Sequence, residues 1–118
     1  MRISKHVDFG KQGEQLAVEF LKSEGYKILD TNYRNAMGEL DIIARKDQLL
    51  VIIEVKRRKT LAHGFPREAV SYHKQKQIAR LTQWYIQQHK LHNMQVRFDV
   101  IEIIGEDIHH IKDAFRVG

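Results

Sequence analysis

Residues 38–59, GELDIIARKDQLLVIIEVKRRK, decide the fold of this chain. The segment is typical of two strands joined by a tight turn, yet it carries charges where a hairpin normally buries apolar residues. Glu39 and Asp41 are two residues apart on the first strand. Glu54 and Lys56 are two apart on the second strand. Since residues two apart in a strand share a face, each pair projects from one side of its strand.

The length of the turn decides whether the two charged pairs meet. A two-residue loop at 47–48, or a four-residue loop around it, gives a register in which paired residue numbers sum to 95. That register places Asp41 opposite Glu54. It also places Glu39 opposite Lys56, with opposed Cβ atoms within about 5.5 Å. A three-residue loop without a bulge would shift the register by one residue and separate the charges, and a loop without Asn-Gly or Asp-Gly does not decide between these lengths.

The composition describes a globular chain with a basic charge balance. Hydrophobic residues make up 42% and charged residues 30% of the 118 positions, so we expect one folded domain over residues 1–118. The 20 Lys and Arg residues exceed the 15 Asp and Glu residues, which gives a net charge of +5. This balance is compatible with a polyanionic partner and equally with a charge that only keeps the protein soluble.

The sequence contains no signal that directs it to a membrane or to secretion. No apolar run approaches the ~20 residues of a membrane span, and the opening segment MRISKHVDFG has no apolar signal region. The absence of cysteine excludes a disulfide framework and a thiolate metal site. We therefore expect a cytoplasmic protein without a membrane partner.

The rest of the chain predicts two helices and three further strands around the hairpin. Gly25 is expected to end the first helix and Ser71 to cap the second. Since the second helix is a long crossover, we expect an α/β fold with a mixed central sheet of about five strands and helices on both faces. The predicted elements are a helix over 11–24, a strand over 26–33, the two hairpin strands, a loop over 61–65, a short helical turn over 67–70, a helix over 71–89, and strands over 96–104 and 108–111.

The charged hairpin has two explanations. Facing carboxylates at Asp41 and Glu54 repel each other, and burying them costs free energy unless they are paired or bind a cation. Mg²⁺ is typically held by one or two carboxylates with waters and phosphate oxygens. Lys56, on the same face, can stabilise charge that develops on phosphorus. The spacing therefore suits metal-dependent hydrolysis of phosphodiesters.

A salt-bridge ladder is the alternative explanation. It pairs Glu39 with Lys56, and it pairs Glu54 with Arg45 or Arg57. Arg57 is expected on the opposite face of the strand from Glu54, which weakens this alternative without excluding it.

The arrangement Asp41-x12-Glu54-x-Lys56 resembles the PD-(D/E)xK signature of the restriction endonuclease-like superfamily. The whole chain resembles the YraN-like family of uncharacterised bacterial proteins, which are predicted endonucleases. Met37 departs from the basic or polar residue that often precedes the Gly-Glu, and no proline precedes Asp41, but neither departure removes a proposed ligand. The matching segments are Gly13-Glu14, GELDIIA at 38–44, IEVKRR at 53–58, GFPREAV at 64–70, RFDVIEI at 97–103 and IKDAF at 111–115.

The resemblance implies a restriction endonuclease-like fold and an endonuclease that cuts DNA, including structured or damaged DNA, with Mg²⁺ or Mn²⁺. It implies that Asp41 and Glu54, with the Val55 carbonyl, bind the metal and that Lys56 is the catalytic lysine. Glu14 would add a carboxylate from the first helix, although an acid in the first turn also favours the helix dipole. A homodimer is the assembly by which such a small nuclease would cut two strands.

Other charged residues have more than one interpretation. Glu39 matches the family pattern but can also pair with Lys56, and Asp99 is either a buried structural acid or a group that supports the site. Arg57, Arg58 and Lys74 are predicted to contact nucleic acid. Lys74, together with Lys76 and Arg80, is expected on or beside the exposed side of the second helix. The alternative function is a non-catalytic module on a nuclease fold that binds nucleic acid or a DNA-processing partner.

Overall fold

The computed structural model describes residues 9–59 and 70–117. The observed order of helix, three strands, helix and two strands is the predicted one. The predicted loop over 61–65 and residues 67–69 of the predicted helical turn lie outside the described residues. The elements are α1 (Phe9–Ser23), β1 (Lys27–Asn35), β2 (Gly38–Lys46), β3 (Leu49–Arg58), α2 (Tyr72–His89), β4 (Gln95–Ile104) and β5 (Asp107–Phe115).

The five strands form one mixed sheet in the order β1-β2-β3-β4-β5. Neighbouring strands are antiparallel except β3 and β4, which are parallel and are connected through α2. The strand β3 therefore lies at the centre of the sheet, as its apolar run predicted. The predicted α/β fold with a five-stranded mixed sheet is confirmed.

Two apolar clusters cover the two faces of this sheet. On the α1 side, Ala17 and Leu21 pack with buried residues of β2, β3 and β4. On the α2 side, Ile78, Leu81 and Tyr85 pack with buried residues of β2 and β3. Each fully buried aliphatic side chain contributes about 1.5–3 kcal/mol, so both helices are held mainly by these clusters. No helix in the described part of the chain combines the length and apolar character needed to cross a membrane.

Both predicted helix caps are present. Gly25 has a φ of 88°, and the Tyr26 N–H donates to the Leu21 carbonyl, which is the capping pattern that a left-handed glycine permits. The Ser71 hydroxyl accepts a hydrogen bond of 3.2 Å from the Lys74 N–H. The first helix therefore ends, and the second begins, close to the positions predicted from the sequence.

The β2–β3 hairpin has the register in which paired numbers sum to 95. Lys46 pairs with Leu49 across a two-residue loop, and the ladder runs to the pair Ile42–Ile53. Asp47 in the loop has a φ of 56°, a conformation that Asp tolerates better than most residues. The ladder ends at Ile42, so the charged residues beyond it are arranged by other contacts.

The side-chain alternation of β2 breaks at Asp41. Leu40 packs in the cluster on the α2 side and Ile42 in the cluster on the α1 side, although residues two apart in a regular strand share a face. Asn32, between the two β1 residues that pair with them, has a φ of 53°. The Asp41 carboxylate accepts a hydrogen bond of 2.9 Å from the Val55 N–H, which joins β2 to β3 where the ladder has ended.

Candidate functional site

Three carboxylates converge at the start of β2. One oxygen from each of Glu14, Glu39 and Asp41 lies within 4.8 Å of the other two. All three side chains are partly exposed, and Glu14 reaches the group from α1. Like charges this close repel each other, and oxygen donors of this type are the ligands that Mg²⁺ prefers. The structure therefore brings the predicted Glu14 and Asp41 together and adds Glu39.

Gly13 allows β3 to approach α1 directly beside Glu14. A Cβ atom on Gly13 would lie 3.1 Å from Cδ of Arg57, so the missing side chain leaves room for the arginine stem. Arg57 also donates a hydrogen bond of 3.3 Å to Gln12. Arg57 therefore lies on the α1 side, as predicted. It lines a cleft of about 820 Å³ between α1 and β1 that Glu14 also borders.

Gly38 holds the start of β2 against α2. Its φ is 141°, and a Cβ atom there would lie 2.6 Å from the side-chain nitrogen of Gln77. Gln77 donates a hydrogen bond to the Met37 carbonyl. Because only glycine combines this φ with this close approach, Gly38 fixes the backbone immediately before Glu39.

Glu54 lies on the α2 side of the sheet between two ammonium groups. Its side chain is 8% exposed, and its Oε1 lies 3.7 Å from Nζ of Lys56 and 3.8 Å from Nζ of Lys74. Lys74 was expected on or beside the exposed side of α2. Its side chain is 38% exposed, but its ammonium is directed towards Glu54. Lys74 precedes the buried Ile78 by four residues and so shares its face of the helix.

Burial and neighbouring negative charges make Asp41 and Glu54 difficult to ionise. Burial and the neighbouring Asp41 raise the pKa of Glu54 to about 7, although Lys74 and Lys56 oppose the rise. Burial also raises the pKa of Asp41, the Val55 N–H opposes this, and Glu39 adds to it. Two lysines therefore do not fully compensate the carboxylates. A proton or a bound cation would relieve the remaining repulsion.

The predicted salt-bridge ladder is wrong in its partners. Glu39 pairs with Arg34 of β1 at 2.9 Å, and not with Lys56. Glu54 pairs with the two lysines, and not with Arg45 or Arg57. For Glu39 the physical reason is that the β2–β3 ladder ends at Ile42, so Glu39 is paired with Arg34 of β1 and approaches Glu14 of α1.

Asp99 belongs to a separate network. Its side chain is fully buried, and it accepts two hydrogen bonds of 2.8 Å from Arg97 and one of 2.9 Å from the Asp113 N–H. Nε2 of His110 lies 2.7 Å from its carboxylate. Burial alone would raise the pKa of Asp99, but the hydrogen bonds from His110, Arg97 and Asp113 hold it below its usual value. This arrangement supports the structural interpretation of Asp99.

Two features of the site were missed from sequence. The first is the approach of Glu39 to Glu14, because the sequence predicted Glu39 beside Asp41 but did not join it to the first helix. The second is the contact between Lys74 and Glu54, for which the signal was the four-residue spacing from Ile78. Arg58 lies half-buried at the end of β3. Its predicted contact with nucleic acid stays a prediction, as do those of Arg57 and Lys74.

Comparison with known proteins identifies the family. The family described as "Uncharacterised protein family UPF0102" matches residues 13–103, a region that contains all the acids of the site. A UPF0102 protein of Syntrophotalea carbinolica is 42% identical over 117 residues, covering 96% of this chain and 95% of that protein. A UPF0102 protein of Clostridium beijerinckii is 45% identical over 117 residues, with 94% and 95% covered. A UPF0102 protein of Thermodesulfovibrio yellowstonii is 46% identical over 109 residues, with 92% and 96% covered. The predicted YraN-like resemblance is therefore confirmed, and the chain belongs to the uncharacterised protein family UPF0102.

Proposed function

We propose that this protein is a metal-dependent endonuclease of restriction endonuclease-like fold that hydrolyses phosphodiester bonds in DNA. The observation that carries the proposal is the approach of the Glu14, Glu39 and Asp41 oxygens to within 4.8 Å of one another. Beside them, Lys56 lies 3.7 Å from the buried Glu54. The basic net charge of +5 suits a polyanionic substrate.

The donor set fits Mg²⁺ or Mn²⁺. It consists of carboxylate oxygens, which suit hard divalent cations, and it contains no thiolate. The raised pKa values of Asp41 and Glu54 reflect burial and crowded negative charge, which a divalent cation would balance. Glu14, Glu39 and Asp41 would hold the ion. Glu54 and the Val55 carbonyl remain the further ligands that the family resemblance implies.

The reaction requires a bond between a water oxygen and phosphorus, the loss of one ester P–O bond, and a proton for the departing alkoxide. The bound cation would polarise a phosphate oxygen and lower the pKa of a water. Lys56 is 38% exposed, so its ammonium can meet a substrate phosphate while it stays close to Glu54. It would stabilise the negative charge that builds on the phosphate oxygens during attack.

A cleavage assay on flaps, junctions, single strands and duplexes, with Mg²⁺ or Mn²⁺, tests this proposal. We expect Lys56→Ala to lower the cleavage rate about 10²- to 10³-fold, which is the usual cost of removing one donor that stabilises a transition state. We expect Asp41→Asn to lower the cleavage rate at least as much. Asp107→Asn and Lys112→Ala are the matched controls, since both residues are exposed on β5.

Two outcomes would contradict the enzyme. Equal cleavage by the wild type and both site variants would mean that a contaminating nuclease is responsible. Binding of DNA with a steep salt dependence, but no cleavage with either metal, would favour the non-catalytic binding module instead.

A further inference from the structure

The outward face of α2 carries a stripe of aromatic and basic residues. Tyr72, Lys76, Arg80 and Trp84 recur every four residues, and we call them the α2 stripe. Tyr72 is 69% exposed, Trp84 is 53% exposed, and the two basic residues are also exposed. With a rise of 1.5 Å per residue, the stripe is about 18 Å long. It lies opposite the residues that α2 buries, which are Ile78, Leu81, Thr82 and Tyr85.

The charge of α2 has one sign. The helix contains Lys74, Lys76 and Arg80, and no Asp or Glu occurs over residues 72–89. Lys74 contacts Glu54, whereas neither Lys76 nor Arg80 forms an ion pair within residues 9–59 and 70–117. A basic helix face alone is ordinary solvated surface. Here, two large exposed aromatic side chains lie at the ends of the basic face. Proteins that bind single-stranded nucleic acid combine basic residues with exposed aromatic rings in this way.

A groove connects the α2 stripe to the start of β2, the strand that bears Glu39 and Asp41. The groove has a volume of about 620 Å³ and is bordered by Trp84, Tyr33 and Met37. The Tyr33 hydroxyl donates a hydrogen bond of 3.0 Å to Gln88, which holds this aromatic wall against α2. Met37 precedes Glu39 by two residues. A nucleic-acid strand that contacts Trp84 would therefore lie beside the start of β2.

We propose that the α2 stripe binds a single strand of DNA, with a base stacked on Trp84 and phosphates at Lys76 and Arg80. The binding of a single strand does not depend on the proposed function. The further conclusion that the nuclease acts on DNA with a single-stranded segment beside the acidic site rests on that function. Stacking accepts any base, so the contact is independent of sequence. The bases of an intact duplex are stacked on one another and cannot occupy Trp84 in this way.

Trp84 is the only tryptophan of the chain, so its fluorescence reports directly on the proposed contact. The probe is an oligothymidylate, titrated in EDTA so that no metal-dependent cleavage occurs. We expect the single strand to quench Trp84, and a duplex of equal length to quench it much less. With a labelled oligothymidylate, Trp84→Leu should weaken binding roughly 5- to 150-fold, and Trp84→Phe should restore most of the affinity.

The binding of phosphates by the stripe has its own test. Replacing both Lys76 and Arg80 by Ala should reduce the slope of log affinity against log salt by about 0.7 for each phosphate that is no longer neutralised. The matched control replaces Lys22 and Lys112, which are exposed on α1 and β5, and should leave the slope unchanged. Circular dichroism checks that all variants are folded.

The inference is overturned if the single strand leaves Trp84 fluorescence unchanged, or if duplex and single strand quench it equally. It is also overturned if Trp84→Leu binds as tightly as the wild type. These outcomes are distinct from those of the nuclease test. Trp84-dependent binding in EDTA without cleavage in Mg²⁺ or Mn²⁺ would overturn the proposed nuclease activity and support single-strand binding by the α2 stripe. Cleavage by the wild type together with binding that does not depend on Trp84 would support the nuclease activity and overturn the role of the stripe.

Discussion

Two groups of carboxylates in the described part of the chain, one around Asp99 and one around Asp41 and Glu54, are built differently. Asp99 has donors on both oxygens, from Arg97, His110 and the Asp113 N–H, and its pKa is lowered. Asp41 and Glu54 lie among other acids, and their pKa values are raised. A carboxylate whose oxygens are satisfied by protein donors supports the fold. Carboxylates that repel each other leave negative charge that the protein does not balance, which is the property expected of a cation site.

Removing the charge of Asp99 should have the largest effect on stability. We expect Asp99→Asn to lower the free energy of unfolding by about 3–5 kcal/mol, because it leaves the Arg97 guanidinium without its buried partner. Urea unfolding measures the change. The exposed Asp107→Asn should stay within about 0.5 kcal/mol of the wild type. If Asp99→Asn did the same, the Asp99 network would not be structural.

The acidic site should respond to metal, and the Asp99 network should not. At a Mg²⁺ or Mn²⁺ concentration of 100 times Kd, wild-type stability should rise by about 2.7 kcal/mol. Asp41→Asn should abolish this gain while stabilising the metal-free protein, since it removes one of the repelling charges. Thermal unfolding with and without metal measures both effects. An equal gain in wild type and Asp41→Asn would place the metal elsewhere.

The lowered pKa of Asp99 predicts a loss of stability in acid. In the unfolded chain Asp99 takes up a proton near its ordinary pKa of 3.8, whereas in the folded protein it stays ionised to lower pH. Its contribution is therefore complete above that value and disappears as the pH falls through the folded pKa, with a slope of at most about 1.4 kcal/mol per pH unit. Urea unfolding between neutral and acid pH should show a shallower slope for Asp99→Asn. Identical slopes would refute the assignment.

The smallest expected effect concerns the far end of the same network. The Tyr26 hydroxyl accepts a hydrogen bond of 2.8 Å from Arg97. Tyr26→Phe should therefore cost about 1 kcal/mol of stability, since Arg97 keeps its two bonds to Asp99. The exposed Tyr72→Phe is the matched control in the same urea experiment. A cost no larger than that of the control would show that Arg97 is held by Asp99 alone.

The local features of the fold could be predicted from the sequence. A two- or four-residue loop predicted the observed hairpin register, although the loop sequence did not decide between loop lengths. Gly25 and Ser71 predicted the helix caps, because each cap depends on residues close in sequence. The acids Glu14 and Asp41 were also predicted together, although this step relied on a family resemblance.

The parts that could not be predicted depend on backbone and tertiary geometry. A regular strand would place Glu39 opposite Lys56. Because the β2–β3 ladder ends at Ile42, Glu39 instead pairs with Arg34. The partners of Asp99 come from a bulge in the β4–β5 pairing and from a histidine eleven residues away, which no periodicity in the sequence reports. Such contacts form only once the sheet is assembled.

The parallel pairing of β3 with β4 also has a consequence for the order of folding. The strands β1, β2 and β3 are joined by two short turns, so they can pair rapidly through contacts close in sequence. The strand β4 can join only after the chain has closed a long loop through α2, which is entropically slower. During synthesis the β2–β3 hairpin therefore emerges before β4, with one edge of β3 uncovered, and refolding should be limited by the arrival of β4 at that open edge.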